Sequence, residues 1–569
     1  MLLGIAIALS LCAGRLLQLQ GLDSSAYAAT AAERLTRTLP LLPSRGDITD
    51  RNGQVLASTQ AAVAVTADPK LTGPRAAEVA AVIGPHLQMT TPELIPILTK
   101  PNTRFTYVKK KVPALTYSKL AAELTARELP GIFRESDPIR TSPGRSVGAG
   151  VVGFVGADGK GLGGLELARN TELAGIEGRE VYESSPTGSK IPLGNTTTTP
   201  AQNGLNYQLT VDAELQWVAE ERVADQVRKS GADSGFAVVL NVKTGEVLAL
   251  ANAPTFDASA PGKADAEDRG NRAISAPYEP GSVQKILTAA ALMDSKTTVG
   301  GLPITPDTRV RIPSTLKSGP FNIKDHFAHG ELRFRMRGVV AESSNIGTVL
   351  LTRQMPKATL RDYLSRFGLG RPTGIELPGE AAGILPDADM RDLTRDQVAF
   401  GQALSVTGIQ QAAAIAGIVN DGLYQPPTVV KAATTSDGQV AAVPRQPARQ
   451  VVSPQTSAQV RDLMRAVVDS PNGQRNLALE GYSSGGKTGT AERADPDCGC
   501  YKGYVTSYVS FAPLNDPEIL TYVVVSNPRR GDTGTSVSAP AVRDIMQFAL
   551  PRYSVEPTAK KTKPRPTEW

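Results

Sequence analysis

The strand signal in this chain is split into two distant blocks. FAVVLNVKTGEVLALANAP (236–254) reads as two buried strands around a Lys243-Thr244-Gly245-Glu246 turn, and YVTSYVSFAPLNDPEILTYVVVSNP (504–528) reads as a second strand pair. A helix-rich stretch from 280 to 425 lies between them. No regular strand–helix–strand alternation connects the blocks. The expected class is therefore α+β, an antiparallel sheet assembled from both ends of a segment and flanked by helices. LNYQLTVDAELQWVAEERVADQV (205–227) reads as a strand entering an amphipathic helix at the start of this unit, and the polar run Asn195–Pro200 reads as a linker before it. Further upstream, two β-rich runs flank Asn52-Gly53, a strong hairpin signal. Residues 70–135 alternate helix-like stretches with short loops, and residues 140–166 are rich in glycine.

Composition excludes several functions. The chain has 569 residues, enough for three or four domains, and 41% hydrophobic residues exclude wholesale disorder. Lys and Arg number 61 against 55 acidic residues, a net charge of +6, too dilute for a nucleic-acid binder. Three cysteines, Cys12, Cys498 and Cys500, cannot support a disulfide framework, and zinc-finger spacing is absent. Three histidines, His86, His326 and His329, leave a hydrolytic reaction few imidazoles to use as a base.

The N-terminus and the C-terminus stand apart from the body. Residues 2–14 carry no charge, and Arg15 ends the run. A bilayer span needs about 20 apolar residues, so this run is short. Four readings compete: an uncleaved anchor, a signal peptide with Ala26-Tyr27-Ala28 as its A-x-A-like site, a lipoprotein signal at Cys12 with bulky Leu11 before it, and a buried core helix. The anchor reading is adopted, with the remainder outside the cytoplasm. Residues 551–569 are Pro-rich and basic and are expected to be disordered.

Glycine-rich segments generate decoys. Gly481-Tyr482-Ser483-Ser484-Gly485-Gly486-Lys487-Thr488 fits a phosphate-binding loop, but Gly489 and ADPDCGCYKG follow where that motif needs a helix. The same stretch and Gly144-Arg145-Ser146-Val147-Gly148 fit G-x-S-x-G. A nucleophile elbow needs a later histidine, and none follows His329. A serine chemistry without histidine remains. Pro280-Gly281 turns into Ser282-Val283-Gln284-Lys285 and an apolar helical run. Residues three apart share a helix face, so the Lys285 amine can reach the Ser282 hydroxyl. A lysine kept neutral by burial or by a second cation can act as the base. Alone, this pattern also fits an N-cap serine beside a solvated lysine. Ser343-Ser344-Asn345 and Lys487-Thr488-Gly489 follow in the order that accompanies S-x-x-K in penicillin-binding enzymes and class A β-lactamases.

With these motifs in place, the chain resembles a class B penicillin-binding protein along nearly its whole length, closer to the cell-division FtsI-type branch than to the elongation branch. Arg45-Gly46-x-Ile48-x-Asp50-Arg51-Asn52-Gly53, Arg140-x-x-Pro143-Gly144 and Gly161-x-x-Gly164-Leu165-Glu166 resemble that class's pedestal boxes. Leu209-Thr210-Val211-Asp212, Asn271-Arg272-Ala273, Phe400-Gly401-Gln402 and Lys487-Thr488-Gly489-Thr490-Ala491 resemble its transpeptidase strings. The resemblance implies an anchor over 1–22, a pedestal over 23–200, a transpeptidase domain over 201–550 and the tail 551–569. It implies a peptidoglycan D,D-transpeptidase with no cofactor and no metal. Ser282 attacks the penultimate D-Ala of a stem peptide and Lys285 takes its proton. Ser343 relays a proton to the leaving amine, Asn345 holds the substrate amide and Lys285, and Lys487 keeps the local field positive. Thr488, Gly489 and Thr490 form the substrate strand, and the N–H groups of Ser282 and Thr490 form the oxyanion hole. An amine from a neighbouring stem resolves the acyl-enzyme, and β-lactams acylate Ser282 in the same way. The implied partners are stem peptides on a lipid-linked precursor, β-lactams, the membrane and a polytopic glycosyltransferase, with no nucleic acid.

Two departures from the class stand out. No basic segment precedes the apolar run, and Cys498-Gly499-Cys500 sits after the active-site strand, either as two thiols or as an oxidised pair. A β-lactamase would need a water-activating carboxylate, for which Glu376 and Glu380 are the candidates. A D,D-carboxypeptidase uses the same serine with water as acceptor, and a division scaffold would work through its pedestal alone.

Overall fold

The two distant strand blocks meet in one sheet. In this computed structural model, which describes residues 2–18, 36–185, 190–192, 194–495, 498–558 and 564–569, strands β1 (Ser234–Asn241), β2 (Val247–Ala253), β3 (Gly485–Asp495), β4 (Cys500–Ala512) and β5 (Ile519–Ser526) form a five-stranded sheet in the order β2-β1-β5-β4-β3. All four pairings are antiparallel, as the α+β reading requires. Residues 236–240 of β1 and all of β2 are buried. Such runs do not alternate because helices cover both faces. Helix α1 (Ala213–Ser230) and the helix Ala539–Arg552 pack on one face. Gly408–Val419 and Pro454–Asp469 pack on the other.

The pedestal has two parts with different cores. Residues 62–136 form a head in which the buried strand Ala62–Ala67 lies between Thr106–Pro113 and Ile132–Ser136. Val65, Ile83, Leu94, Leu98 and Leu120 build its separate core. The remainder is fused to the catalytic unit. Ile48, Leu56, Val151, Leu165 and Leu173 belong to the same hydrophobic cluster as Val223 and Leu248. One six-stranded sheet joins Ile48–Thr49, Val55–Gln60 and Ile139–Thr141 to Asn206–Leu209, Val430–Thr434 and Val440–Ala441.

The pedestal boxes mark the polar joints of this fusion. Glu166 is 1% exposed and accepts from Arg45 Nε at 2.7 Å and from Arg140 Nε at 2.6 Å. Asp50 accepts from the backbone N–H groups of Asn52, Gln54 and Ala213. Asp212 caps α1 through Glu214 N and Leu215 N and also receives Arg552 Nε at 2.6 Å. Asp50 and Asp212 answer hairpin and helix-terminal N–H groups that would otherwise be buried without partners.

Three expectations are corrected or bounded. The run Asn195–Pro200 is not a bare linker: Thr196–Thr199 is a strand paired with Gly178–Glu183, which in turn pairs with Thr36–Leu41. A row of β-branched threonines suits an exposed edge strand. The tail expected to be disordered over 551–569 is docked at its end. Arg335 N donates to Thr567 O, Trp569 N donates to Arg333 O, and Trp569 Nε1 donates to Phe334 O. The guanidiniums of Arg309, Arg311 and Arg333 lie 5.0, 5.9 and 5.7 Å from the Trp569 ring. An aromatic end group over three cations explains why a basic tail binds a basic hairpin. At the other terminus, Leu2–Leu17 is a helix, and among the described residues no helix is long and apolar enough to cross a membrane. Ala26-Tyr27-Ala28 lies outside the described residues.

Removing the Glu166 carboxylate leaves two buried guanidiniums without their shared partner. We expect Glu166→Ala to lower stability by about 3–5 kcal/mol in chemical denaturation. A loss near zero would show that the pair is not a structural joint.

Candidate active site

The site forms where three chain-distant elements approach. Gly281–Val283 is a short 3-10 turn that runs directly into α2 (Gln284–Asp294). Pro280 and Gly281 set this turn, and Gly281 has φ +55°, a conformation suited to glycine. Its N–H donates to Gly401 O at 3.0 Å. Ser282 is half-buried at the turn, and Lys285 is 1% exposed on the first turn of α2. The second element is the bend between α3 (Met336–Ala341) and α4 (Asn345–Thr352). Ser343 sits there with φ +58°, a left-handed conformation that is uncommon for a residue with a side chain. Ser344 caps α4 by accepting from Gly347 N. The third element is β3, which pairs only with β4 and so leaves one edge towards Ser282. Gly489 is required in this strand, because a Cβ there would meet Ser507 Oγ at 2.4 Å and Val283 at 2.9 Å.

Hydrogen bonds tie the sequence-predicted residues together. Lys285 Nζ donates to Ser343 O at 2.5 Å, to Asn345 Oδ1 at 2.8 Å and to Ser343 Oγ at 3.2 Å. Lys487 Nζ donates to the same Ser343 Oγ at 3.0 Å and to Thr488 O at 2.9 Å. Thus Lys285, Ser343, Asn345 and Lys487 form one connected cluster. Ser282, Thr488, Gly489 and Thr490 line the same cleft, whose volume is about 1040 Å³. Among the described residues the Ser282 hydroxyl makes no hydrogen bond, so the expected Ser282–Lys285 contact is not formed in this state.

Both lysines are shifted towards neutrality. Burial, then the neighbouring Lys487, pushes the Lys285 amine well below its ordinary value, with Asp325 opposing. Burial brings the Lys487 amine down to about 7, with Glu342 opposing. A buried amine loses hydration of its charged form and becomes a usable base.

Several residues contribute through contacts that no motif specifies. Asp325 accepts from Ser344 Oγ at 2.6 Å and Ile346 N at 3.0 Å, and so holds the Ser343 bend from behind. Glu279 accepts from Ala403 N and from Tyr501 Oη, which bridges the nucleophile turn to the β3–β4 hairpin. At that hairpin Cys498 and Cys500 form a disulfide, which selects the oxidised of the two readings. The carboxylates weighed for a hydrolytic water are engaged elsewhere. Glu376 accepts from Thr428 Oγ1 and Val429 N, and Glu380 accepts from Thr373 and Gly374. Neither lines the cleft.

Comparison with known proteins agrees with this architecture. Residues 235–547 match the penicillin binding protein transpeptidase domain, and residues 40–209 match the penicillin-binding protein dimerisation domain. The penicillin-binding protein PbpB of Mycolicibacterium smegmatis is 33% identical over 97% of this chain and 90% of its own length. The peptidoglycan D,D-transpeptidase FtsI of Escherichia coli is 30% identical over 98% of this chain and 92% of its own. A crystal structure of penicillin binding protein 3 from Mycobacterium tuberculosis, complexed with aztreonam, superposes with a TM-score of 0.72 at 30% identity, covering 93% of this chain and all of that one. With both domains, the ordered motifs and relatives of this kind along its length, the chain belongs to the class B penicillin-binding proteins of the FtsI-type branch.

Proposed function

We propose that the protein is a peptidoglycan D,D-transpeptidase in which Ser282 is the nucleophile and Lys285 its base. The observation that carries this reading is the hydrogen-bonded cluster of Lys285, Ser343, Asn345 and Lys487 beside a serine that heads a helix. A rotation of the Lys285 side chain from Ser343 towards Ser282 brings the neutral amine to the hydroxyl. The serine oxygen then attacks the penultimate D-Ala carbonyl. Ser343 Oγ, bonded to both lysines, passes a proton to the departing D-Ala amine as the peptide bond breaks. Asn345 fixes Lys285. Lys487 discourages protonation of Lys285, and Thr488 and Thr490 receive the substrate carboxylate. The free edge of β3 offers N–H and C=O groups to an extended stem peptide, as sheet edges do for added strands. The N–H groups of Ser282 and Thr490 stabilise the oxyanion.

An amine on a second stem then resolves the acyl-enzyme. We favour an amine over water because Glu376 and Glu380 are held in other loops. β-Lactams acylate Ser282 by the same route. The Cys498–Cys500 disulfide supports an oxidising, extracytoplasmic setting. The helix Leu2–Leu17 is assigned to membrane attachment, and the pedestal head to contact with a polytopic glycosyltransferase that supplies the glycan strand.

Fluorescent penicillin should label the parent protein covalently and leave Ser282→Ala unlabelled; equal labelling of both would refute the nucleophile assignment. The pH dependence tests the base. Lys285 must be neutral to act, so acylation falls as pH drops through its depressed pKa. Lys487→Met removes a cation that depresses Lys285, raises that pKa, and moves the acid limb to higher pH. Lys285→Ala should slow acylation by roughly 10²–10⁴-fold. A limb that stays in place in Lys487→Met would assign it to another group.

A further inference from the structure

His326 lines the cleft together with Ser282, Ser343 and Asn345, yet the acylation step described above does not use it. It belongs to the wall that carries Ser343. On one side, Lys324 O accepts from Asn345 Nδ2 at 3.0 Å. On the other, the Asp325 carboxylate holds Ser344, Ile346 and the His329 ring. The segment is thereby fixed to the nucleus of the site, and its second imidazole, His329, is turned away into the Asp325 contact and Gly330 O. The His326 ring meets the Phe327 ring edge-on at 4.9 Å. Among the described residues it makes no hydrogen bond.

The second half of a transpeptidation has a proton problem that the first half lacks. The acceptor arrives as an ammonium and must lose one proton before its nitrogen has a lone pair to offer. It must react where the leaving D-Ala amine departed, beside Ser343 Oγ. Lys285 and Lys487 already converge on that atom, and Lys285 is engaged there in returning a proton to Ser282 Oγ.

We propose that His326 is the general base for the acceptor amine. This inference rests on the Ser282 acyl-enzyme. His326 takes one proton from the incoming ammonium, and the freed nitrogen lone pair attacks the Ser282 ester carbonyl. The C–N bond forms. The second N–H proton passes through Ser343 Oγ and Lys285 to Ser282 Oγ as the C–O bond breaks. The imidazolium then returns its proton to water. Burial, then Lys285 and Lys487, keeps the ring below its ordinary imidazole value, with Asp325 opposing. The same two lysines lower the proton affinity of the arriving amine. The charged groups that face this space are Lys285 from α2, Lys487 from β3, Glu342 from the end of α3, Asp325 from the His326 segment itself and Asp532 from the loop after β5.

The test follows the fate of acyl-enzyme already formed. Full-length parent, His326→Ala and His326→Gln are acylated with a soluble stem-peptide thioester and offered a stem tripeptide bearing a side-chain amine. The ratio of cross-linked to hydrolysed product should fall at least about ten-fold in both variants at pH 7. The deficit should shrink as pH rises and the acceptor deprotonates unaided, and added imidazole should restore part of the ratio in His326→Ala. A partition equal to the parent's overturns the proposal, including when less acyl-enzyme forms, since that pattern marks a purely structural residue. So does a deficit independent of both pH and imidazole. Absence of acyl-enzyme in the parent would refute the Ser282 reading instead.

Discussion

Two buried lysine amines share one hydroxyl in this protein. Lys285 and Lys487 both donate to Ser343 Oγ, at 3.2 and 3.0 Å, and both are essentially excluded from solvent. Their nitrogens therefore lie within about 6 Å of one another, where two charges at an effective dielectric of 20 repel by roughly 3 kcal/mol. That equals about two pKa units, in addition to the cost of burial. The doubly charged state is disfavoured, and one amine must surrender its proton. An unprotonated lysine next to a serine turn supplies the base for acylation.

The surrounding fold exists to hold that pair in place. Ser343 can offer both its carbonyl and its hydroxyl because its backbone is left-handed, a conformation secured by Ser344, Asp325 and the start of α4. Lys487 reaches Ser343 because Gly489 lets β3 lie against Pro280 and Val283 without a side chain between them. The pedestal contributes through its fused lower part, where Asp50, Asp212 and Arg552 join the hairpin at Asn52-Gly53 to α1. Its head has a core of its own.

The most apolar parts of the fold were the most legible from sequence. Residues 236–254 and 504–528 announce strands because both faces of the sheet are covered and most strand positions are apolar. The edge strand β3 is legible only through its Lys-Thr-Gly motif, and its glycine pattern also fits a phosphate loop until the residues after it are weighed: one face meets the cleft, and glycine replaces side chains where elements touch. Thr196–Thr199 reads as a linker because its partner, not its composition, makes it a strand. The docking of Trp569 and the roles of Asp325 and Glu279 depend on contacts between residues far apart in the chain, and no local pattern encodes those. The catalytic set was legible because the chemistry demands particular residue types in a particular order, whereas the Ser282–Lys285 proximity inferred from helix spacing is not yet a hydrogen bond.

The protonation state of Lys285 decides whether this account is right. Side-chain carbon NMR of lysine-labelled protein, with the signal assigned by Lys285→Arg, reports it directly. The account predicts that the Lys285 resonance titrates far below the bulk of the lysines, with the neutral amine populated where those lysines remain charged. A Lys285 signal that titrates together with them, near the ordinary value of about 10.4, would contradict it.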